Sequence, residues 1–291
     1  MAEEIKRLLR EYHEGRLSRR EFIRQVMIIT GSLAAANALL GGMMPTEVAA
    51  AMVADNDPEL LTHNVTYKGK AGGVAAYLAR PVKAGKYPGI VAIHENAGLS
   101  DHIRDVARRL AKEGYVVLAP DYLSRLGGTK LVTPKGQGIS NIRELVPWEK
   151  IAEDTESGFA YLKVLSDVRA DRLGLLGFCW GGEVAFASAT EIRNLDAVVV
   201  YYGRSPDPLD SLKGISAPVL ANYGEKDEGI TKGVNATAAA MKKYNKMYDY
   251  KIYPGAQHAF NNDTNPKRYD AQAAKEAWGR TLEFLKKNLK A

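Results

Sequence analysis

The fold of this chain is decided by the stretch Gly177-Phe178-Cys179-Trp180-Gly181-Gly182. The apolar run before it, residues 172–176, is typical of a buried strand, and residues 183–189 after it are typical of a helix. A strand, a sharp turn with small residues around a candidate nucleophile, and a helix form the pattern of a nucleophile elbow, in which serine usually occupies the position of Cys179. At a helix start, unpaired amides and the helix dipole favour a thiolate. A buried structural cysteine fits the same pattern, so the decision rests on partners elsewhere in the chain.

Strands and helices alternate along the chain around this stretch. Besides the elbow strand, we predict strands at 62–68, 72–80, 88–94, 115–120, 197–202, 218–223 and 248–253. Besides the elbow helix, we predict helices at 101–114, 149–165, 231–244 and 267–289. This alternation predicts an α/β fold: a mostly parallel central sheet with helices on both faces, in one domain over residues 52–291. Residues 123–147, rich in Gly, Thr, Pro and Ser, predict a long surface excursion, which usually carries function or a lid.

Composition excludes several classes of function. The chain has 291 residues, a formal net charge of +6 and no basic stripe with interleaved aromatics, so we predict no nucleic-acid partner. Its single cysteine excludes an intramolecular disulfide and a cysteine-based metal cluster. The five histidines show no H-x-x-x-H spacing, and no phosphate-binding loop is present. We therefore predict neither a metal nor another cofactor.

Residues 1–51 read as a leader segment. An amphipathic stretch at 3–12 is followed by the pair Arg19 and Arg20 within a twin-arginine export pattern. A moderately apolar stretch, too dilute for a membrane span, then leads to the small residues 48–51, which suit a cleavage site. We predict export to the periplasm or medium, with membrane contact only during export. The alternative is a retained N-terminal helical hairpin on a cytoplasmic protein. The sequence does not indicate whether the protein is a monomer or an oligomer.

Partners for Cys179 occur in the order that an elbow requires. The nucleophile is followed along the chain by an acid and then a histidine, each after a strand of the sheet. Asp227 follows the predicted strand 218–223, and His258 follows the predicted strand 248–253. Glu225 and Glu228 compete for the acid role, but the G-x-x-D turn favours Asp227. Three such residues in order predict a Cys-His-Asp triad.

A second set of residues follows the predicted strand 88–94. In this architecture, the loop there donates one backbone N–H to an oxyanion hole, and Trp180, the residue after the nucleophile, donates the other. Glu95 is unusual in that loop because a carboxylate opposes the developing negative charge. We expect Glu95 to hold or take the thiol proton. The alternative is an ordinary salt bridge to a nearby arginine.

These motifs together resemble the dienelactone hydrolases (carboxymethylenebutenolidases), a family of the α/β-hydrolase fold, over residues 60–290. The motifs are His-Glu-Asn-x-Gly around Glu95, Gly-Phe-Cys-Trp-Gly-Gly around Cys179, and the positions of Asp227 and His258. The resemblance implies hydrolysis of an enol-lactone or related ester through a thioester on Cys179. It also implies that Glu95 helps to deprotonate the thiol, and that the amides of Asn96 and Trp180 form the oxyanion hole. Members with a twin-arginine leader are common.

One departure leaves the substrate open. In the best-studied dienelactone hydrolases, an arginine one turn beyond the histidine binds the substrate carboxylate, whereas residues 258–262 contain no arginine. The candidate substrate contacts in or near the long excursion are Tyr122, Arg125, Arg143 and Trp148. Two alternative functions remain. One is a generalist carboxylesterase or thioesterase of the same fold. The other is a non-catalytic protein in which Cys179 senses oxidants, although such a sensor needs no Asp-His pair.

Overall fold

The computed structural model describes residues 2–13, 16–30, 53–133, 138–140 and 142–290. The chain divides into two compact units. The smaller comprises residues 1–53 with 264–267, and the larger comprises residues 54–263 with 268–291.

The smaller unit contains two helices, α1 (Ala2–His13) and α2 (Arg19–Thr30). Leu8 of α1 is buried with Phe22 and Val26 of α2, so the two amphipathic helices pack through their apolar faces. The serine preceding α2 and Glu21 form a capping box, in which the glutamate oxygen accepts from the serine N–H at 3.0 Å. The twin arginines therefore occupy the first turn of α2.

The export hypothesis for this unit stays a prediction. The apolar stretch beyond residue 30 and the small residues 48–51 lie outside the described residues. Within the part of the chain that the structure does describe, no helix combines the length and apolarity needed to cross a bilayer.

The larger unit is built on one eight-stranded sheet. The strands are β1 (Leu60–Gly69), β2 (Gly72–Pro81), β3 (Tyr87–Ile93), β4 (Val116–Pro120), β5 (Val168–Phe178), β6 (Ala197–Tyr201), β7 (Val219–Gly224) and β8 (Tyr248–Tyr253). Their spatial order is β1-β2-β4-β3-β5-β6-β7-β8. The pairs β1–β2 and β2–β4 are antiparallel, and every other pair is parallel. The strands at the centre of the sheet are buried along both faces, which is why they read as continuous apolar runs.

The connections between strands supply the helices. The helices are α3 (Asp101–Lys112), α4 (Thr129–Val132), α5 (Ile142–Leu145), α6 (Trp148–Val164), α7 (Trp180–Glu191), α8 (Glu228–Thr231), α9 (Val234–Lys243) and α10 (Ala271–Leu289). The predicted α/β-hydrolase architecture is thus confirmed, with differences in detail. The predicted helix 231–244 is two helices, α8 and α9. The closing helix begins at Ala271 instead of 267, because Asp270 caps it by accepting from the Ala273 N–H at 2.9 Å.

The register of the parallel strands aligns their carboxyl ends at one edge of the sheet. Ile93 at the end of β3 pairs with Gly177, and Phe178 at the end of β5 pairs with Tyr201. Gly224 at the end of β7 pairs with Tyr253 at the end of β8. Loops that follow different strands therefore meet at this edge, where ligands bind in open α/β sheets.

Candidate active site

Cys179 stands at a sharp turn between β5 and α7. Its backbone is in a left-handed region, with φ 56° and ψ −119°, which is strained for a residue with a side chain. A Cβ at Gly177 would overlap the carbonyl of Gly181, so only glycine fits where the turn folds back on itself. The turn leaves the Cys179 side chain partly exposed at the edge of the sheet.

The structure brings Cys179, His258 and Asp227 into one hydrogen-bonded chain. The Cys179 Sγ lies 3.0 Å from the His258 Nε2. The other ring nitrogen, Nδ1, lies 2.5 Å from the Asp227 Oδ2. His258 follows β8 and Asp227 follows β7, so the three residues come from the carboxyl ends of three different strands. Both contacts are within hydrogen-bond reach, as a nucleophile, a base and an orienting acid require.

The electrostatics of this chain favour a charged imidazole. Burial opposes the protonated ring, but the hydrogen bonds and negative charges of Asp227 and Cys179 outweigh it and raise the pKa of His258 to about 10. The side chains of His258 and Asp227 remain 26% and 13% exposed. The arrangement can therefore hold an imidazolium beside the sulfur while staying open to a reactant.

The competing acids lie elsewhere. Glu225 accepts a hydrogen bond from the Gly255 N–H at 2.8 Å, away from the histidine ring. Glu228 is exposed in the first turn of α8. Only Asp227 among the three candidates contacts His258 within the described residues.

Two backbone amides are available next to Cys179. Trp180 is the first residue of α7, so its N–H has no partner within the helix. Asn96 lies in the loop after β3, where its carbonyl accepts from the Ile139 N–H at 3.0 Å. Both residues line the cavity described below. Their amides are suited to an oxyanion hole, a role that stays a prediction.

The loop after β3 is fixed by His94, which is fully buried. Its Nδ1 lies 2.6 Å from the Glu95 carbonyl, and its Nε2 accepts from the Tyr122 N–H at 3.2 Å. These partners assign the proton to Nδ1. Burial lowers the pKa of His94, so the ring is neutral, and its two hydrogen bonds hold the loop in place.

Glu95 directly precedes Asn96, which lines the cavity, and is 7% exposed. Its Oε2 accepts from the Asn262 side-chain amide at 2.8 Å, and no arginine pairs with it in the described part of the chain. Its Oε1 is buried and has no hydrogen-bond partner among the described residues. Glu95 makes no hydrogen bond to Cys179 in this structure, so a role in thiol deprotonation requires it to act when substrate binds.

A cavity of about 180 Å³ opens on the sulfur. The lining residues are Asn96, Ile139, Ser140, Ile142, Arg143, Cys179, Trp180, Glu183, Tyr202, Arg204, Asp227, Ile230 and His258. Four residues of the long excursion, Ile139, Ser140, Ile142 and Arg143, thus form part of its wall. This volume is below the roughly 300–1,000 Å³ of typical ligand pockets, so the cavity suits only a very small ligand.

Of the four predicted substrate contacts, only Arg143 lines this cavity. It is paired with Glu183, donating from Nε to Oε1 at 2.9 Å. The side chains of the other three make hydrogen bonds or ion pairs with residues outside the cavity lining. The Tyr122 hydroxyl bonds to Thr155, Arg125 pairs with the buried Asp154, and the Trp148 indole donates to Glu191. A position near the loop is not enough to predict a substrate contact. Tyr122 and Arg125 are held by residues of α6, and Trp148 is held by a residue of α7.

Three residues around the site were missed from the sequence. Tyr202 and Arg204 follow β6 and line the cavity, and Asn262 follows His258 and holds Glu95. The carboxyl-end rule that found Asp227 and His258 applies equally to the end of β6. Asn262 gave no such signal, because its contact spans 167 residues.

No group of three or more histidine, cysteine, aspartate or glutamate side chains in the described segments is arranged to hold a metal ion.

Comparison with known proteins places this geometry in context. The family model described as the dienelactone hydrolase family matches residues 74–289. A Methylorubrum extorquens protein assigned as a carboxymethylenebutenolidase is 34% identical over 225 residues, covering 74% of this chain and 77% of the relative. A Saccharolobus solfataricus protein with the same assignment is 32% identical over 257 residues, covering 77% of this chain and 97% of the relative.

Solved structures agree with the sequence relatives. A Klebsiella pneumoniae protein assigned as a dienelactone hydrolase superposes with a TM-score of 0.71 at 30% identity, covering 78% of this chain and 98% of the other. A dienelactone hydrolase-like promiscuous phosphotriesterase from metagenomic libraries shares the fold, with a TM-score of 0.69 at 22% identity over 79% of this chain and 99% of the other.

Proposed function

Because the chain belongs to the dienelactone hydrolase family and is a hydrolase, we propose that it cleaves a lactone or carboxylic ester through a thioester on Cys179. The observation that carries the proposal is the hydrogen-bonded chain from the Cys179 sulfur through His258 to Asp227, which faces a cavity of small-molecule size. A sulfur, a base and an acid in this order match the requirement for nucleophilic acyl transfer.

In the acylation step, the Cys179 thiolate attacks the carbonyl carbon of the ester. The carbonyl oxygen becomes an oxyanion, which the amides of Asn96 and Trp180 stabilise. The C–O bond then breaks, and the leaving oxygen keeps the electron pair and takes the proton from the His258 Nε2. In a lactone, this oxygen stays in the same molecule as the acyl group. Asp227 keeps the ring oriented and stabilises its charged form.

In the deacylation step, His258 takes a proton from water, and the hydroxide attacks the thioester carbonyl. The C–S bond breaks, the acid product leaves, and the thiolate forms again beside the imidazolium. When substrate binds, Glu95 receives the thiol proton, which its unpartnered Oε1 allows, and it returns this proton to the thiolate after the acid product has left. A thiol that is activated only with substrate present is protected from idle oxidation.

A carboxylated substrate is favoured by the charges of the cavity wall. Arg143 is already paired with Glu183. Arg204, which also lines the cavity, forms no ion pair among the described residues and donates only to the Gly229 carbonyl, at 3.3 Å. A guanidinium in this state is available to a substrate carboxylate. It is a candidate for the charge recognition that residues 258–262 lack.

The test combines a substrate screen with removal of the nucleophile. Lactones and small esters are compared as pairs with and without a carboxylate, using wild type and Cys179→Ala. We expect turnover by wild type, with carboxylated members preferred, and loss of activity by about 10³-fold or more in Cys179→Ala at unchanged Tm. A trapped acyl adduct on Cys179 in the intact-protein mass would support the thioester.

Each alternative has its own outcome. Equal turnover of carboxylated and uncarboxylated esters or thioesters would favour a generalist carboxylesterase or thioesterase. Turnover that survives in Cys179→Ala would remove Cys179 as nucleophile. Absence of any turnover, together with rapid reversible oxidation of Cys179, would favour the redox-sensing alternative.

A further inference from the structure

An ion pair stands at the mouth of the cavity. Arg143 belongs to α5 in the long excursion, and Glu183 lies in the first turn of α7, where its backbone N–H donates to the Cys179 carbonyl at 3.1 Å. The guanidinium contacts both carboxylate oxygens of Glu183, with 2.9 Å between Nε and Oε1. Both side chains line the cavity, yet they are 52% and 26% exposed to solvent. Side chains with both properties lie where the cavity opens to solvent.

The sulfur borders the same small space as this ion pair. Away from the mouth the lining is buried, since Ile142 and Trp180 are 1% and 3% exposed. The hydrogen bond to Glu183 raises the pKa of Arg143, and the negative charge of Cys179 raises it further. The guanidinium therefore lies close enough to the sulfur for the two charges to interact. A group bonded to the sulfur shares the cavity with the ion pair.

The wall that carries Arg143 is held by other contacts. The Ile139 N–H donates to the Asn96 carbonyl at 3.0 Å, and the Asn96 side-chain amide donates to the Ile139 carbonyl at 3.3 Å. Ile142 and Val146 are buried in the hydrophobic core. An ion pair between partly exposed side chains adds little stability. The pair at the mouth is therefore not needed to hold the excursion in place.

The volume of the cavity sets a size for its occupant. It measures about 180 Å³, and an apolar cavity of about 150 Å³ holds one benzene molecule. In the proposed mechanism the acyl group stays bonded to Cys179 until deacylation, so it is the part of the substrate that the cavity has to hold. An acyl group much larger than benzene has to extend through the mouth.

We propose that the Arg143–Glu183 ion pair limits the substrates of Cys179 to esters and lactones with an acyl group of about the size of benzene. This inference rests on the proposed function. A smaller acyl group fits behind the pair, whereas a larger one has to separate two charged side chains that are joined by two hydrogen bonds. In a lactone the whole molecule stays on the sulfur as the acyl group, so the limit applies to the whole molecule.

The experiment compares 4-nitrophenyl butyrate with 4-nitrophenyl octanoate, which share a leaving group and differ in acyl length. The variant is the double change Arg143→Ala with Glu183→Ala, which opens the mouth and leaves no unpaired charge. We expect wild type to prefer the butyrate by about tenfold or more in kcat/KM. In the double variant this preference should fall about tenfold, because kcat/KM on the octanoate rises. We expect Tm to change by less than about 3 °C, since the pair is partly exposed.

Glu191→Ala is the matched control. It removes the acceptor of the Trp148 indole N–H at 3.1 Å, a contact to the same helix that lies outside the cavity lining. It should leave the preference for the butyrate unchanged. Equal turnover of the two esters by wild type would overturn the size limit.

Three other outcomes are decisive. An unchanged preference in the double variant, or loss of its activity on both esters, would overturn the role of the ion pair, because a pair that only limits size is not needed for the chemistry. The same shift in Glu191→Ala would assign the limit to the position of the excursion instead of the pair. Wild type without activity on either ester, or activity that survives Cys179→Ala, would instead overturn the proposed function.

Discussion

His258 and Asp263 lie five positions apart on the segment after β8, and each belongs to a group of ionisable residues. The two groups differ in their exposure to solvent. His258 belongs to the chain with Cys179 and Asp227, and its side chain is 26% exposed. Asp263 belongs to a closed ion cluster with His102, Asp105 and Arg109, and its side chain is 1% exposed. The Arg109 guanidinium contacts both carboxylates of that cluster, and His102 lies 3.5 Å from Asp263.

This difference in exposure indicates different roles: the group around His258 is suited to react with a substrate, and the group around Asp263 is suited to stabilise the fold. In the closed ion cluster, burial opposes the charge of Asp263, but His102 and Arg109 outweigh it and hold the pKa of its carboxyl well below the ordinary value. In that cluster, the Arg109 guanidinium is shared by two carboxylates whose side chains are only 3% and 1% exposed. In the candidate triad, Cys179 lines the cavity. The closed ion cluster anchors one end of the segment after β8. The same segment carries His258, whose ring contacts Cys179, and Asn262, whose amide holds Glu95.

The largest expected effect comes from Asp227→Asn. The amide cannot stabilise the charged imidazole or hold its required tautomer, so we expect kcat/KM on an activated ester to fall about 10³- to 10⁴-fold. Stability should change little, since the Asp227 side chain is at the cavity and partly exposed. Steady-state kinetics and urea unfolding measure the two quantities. Activity within tenfold of wild type would remove Asp227 from the triad.

The same chemical change in the closed ion cluster, Asp263→Asn, should have the opposite result: a large loss of stability and a small loss of activity. Removing one partner leaves Arg109 with half of its buried countercharge, and we expect the free energy of unfolding to fall by about 2–4 kcal/mol. The activity loss should be far smaller than for Asp227→Asn. If Asp263→Asn instead unfolds as wild type does, the cluster contributes no anchoring.

The pH dependence of Asp263→Asn sharpens this test. The pKa of Asp263 is lowered in the folded chain, so its contribution to stability is present above its unfolded pKa of about 4 and is lost as pH falls. Urea unfolding should show that wild type loses more stability than the variant between about pH 4 and pH 2. Parallel curves for the two proteins would contradict this account.

The smallest effect is expected for Glu95→Gln, at the junction of the two groups. The glutamine keeps the size and the contact with Asn262 but cannot take the thiol proton. We expect kcat/KM to fall about tenfold at pH 7 and less than about threefold at pH 9, where thiolate forms unaided. Glu228→Gln, an exposed position, serves as the control. An equal loss at both pH values would count against proton transfer by Glu95.

Much of the fold was predictable because its signals are local. Buried parallel strands read as apolar runs, and the residues 248–253 predicted as a strand are those of β8. The boundary errors occurred where capping decided, as at Asp270 before α10. The candidate triad was also readable, since chain order and strand ends locate Cys179, Asp227 and His258 without knowledge of the packing.

The cavity wall was not readable to the same extent. Tyr122 and Trp148 were predicted to contact substrate from their position near a loop, yet Thr155 and Glu191 bind them elsewhere. Whether a side chain faces a cavity or a neighbouring helix depends on contacts between distant segments. A single sequence gives no signal for these contacts.

The sequence by itself determined the elbow around Cys179, the order of its partners and the α/β class, because each depends on short-range patterns. Only the tertiary structure decided that Asn262 holds Glu95 and that Tyr202 and Arg204, in the turn after β6, line the cavity. Both results follow from the alignment of strand ends across the sheet. That alignment brings together side chains that lie far apart in the chain, and it determines which polar atoms are left without partners.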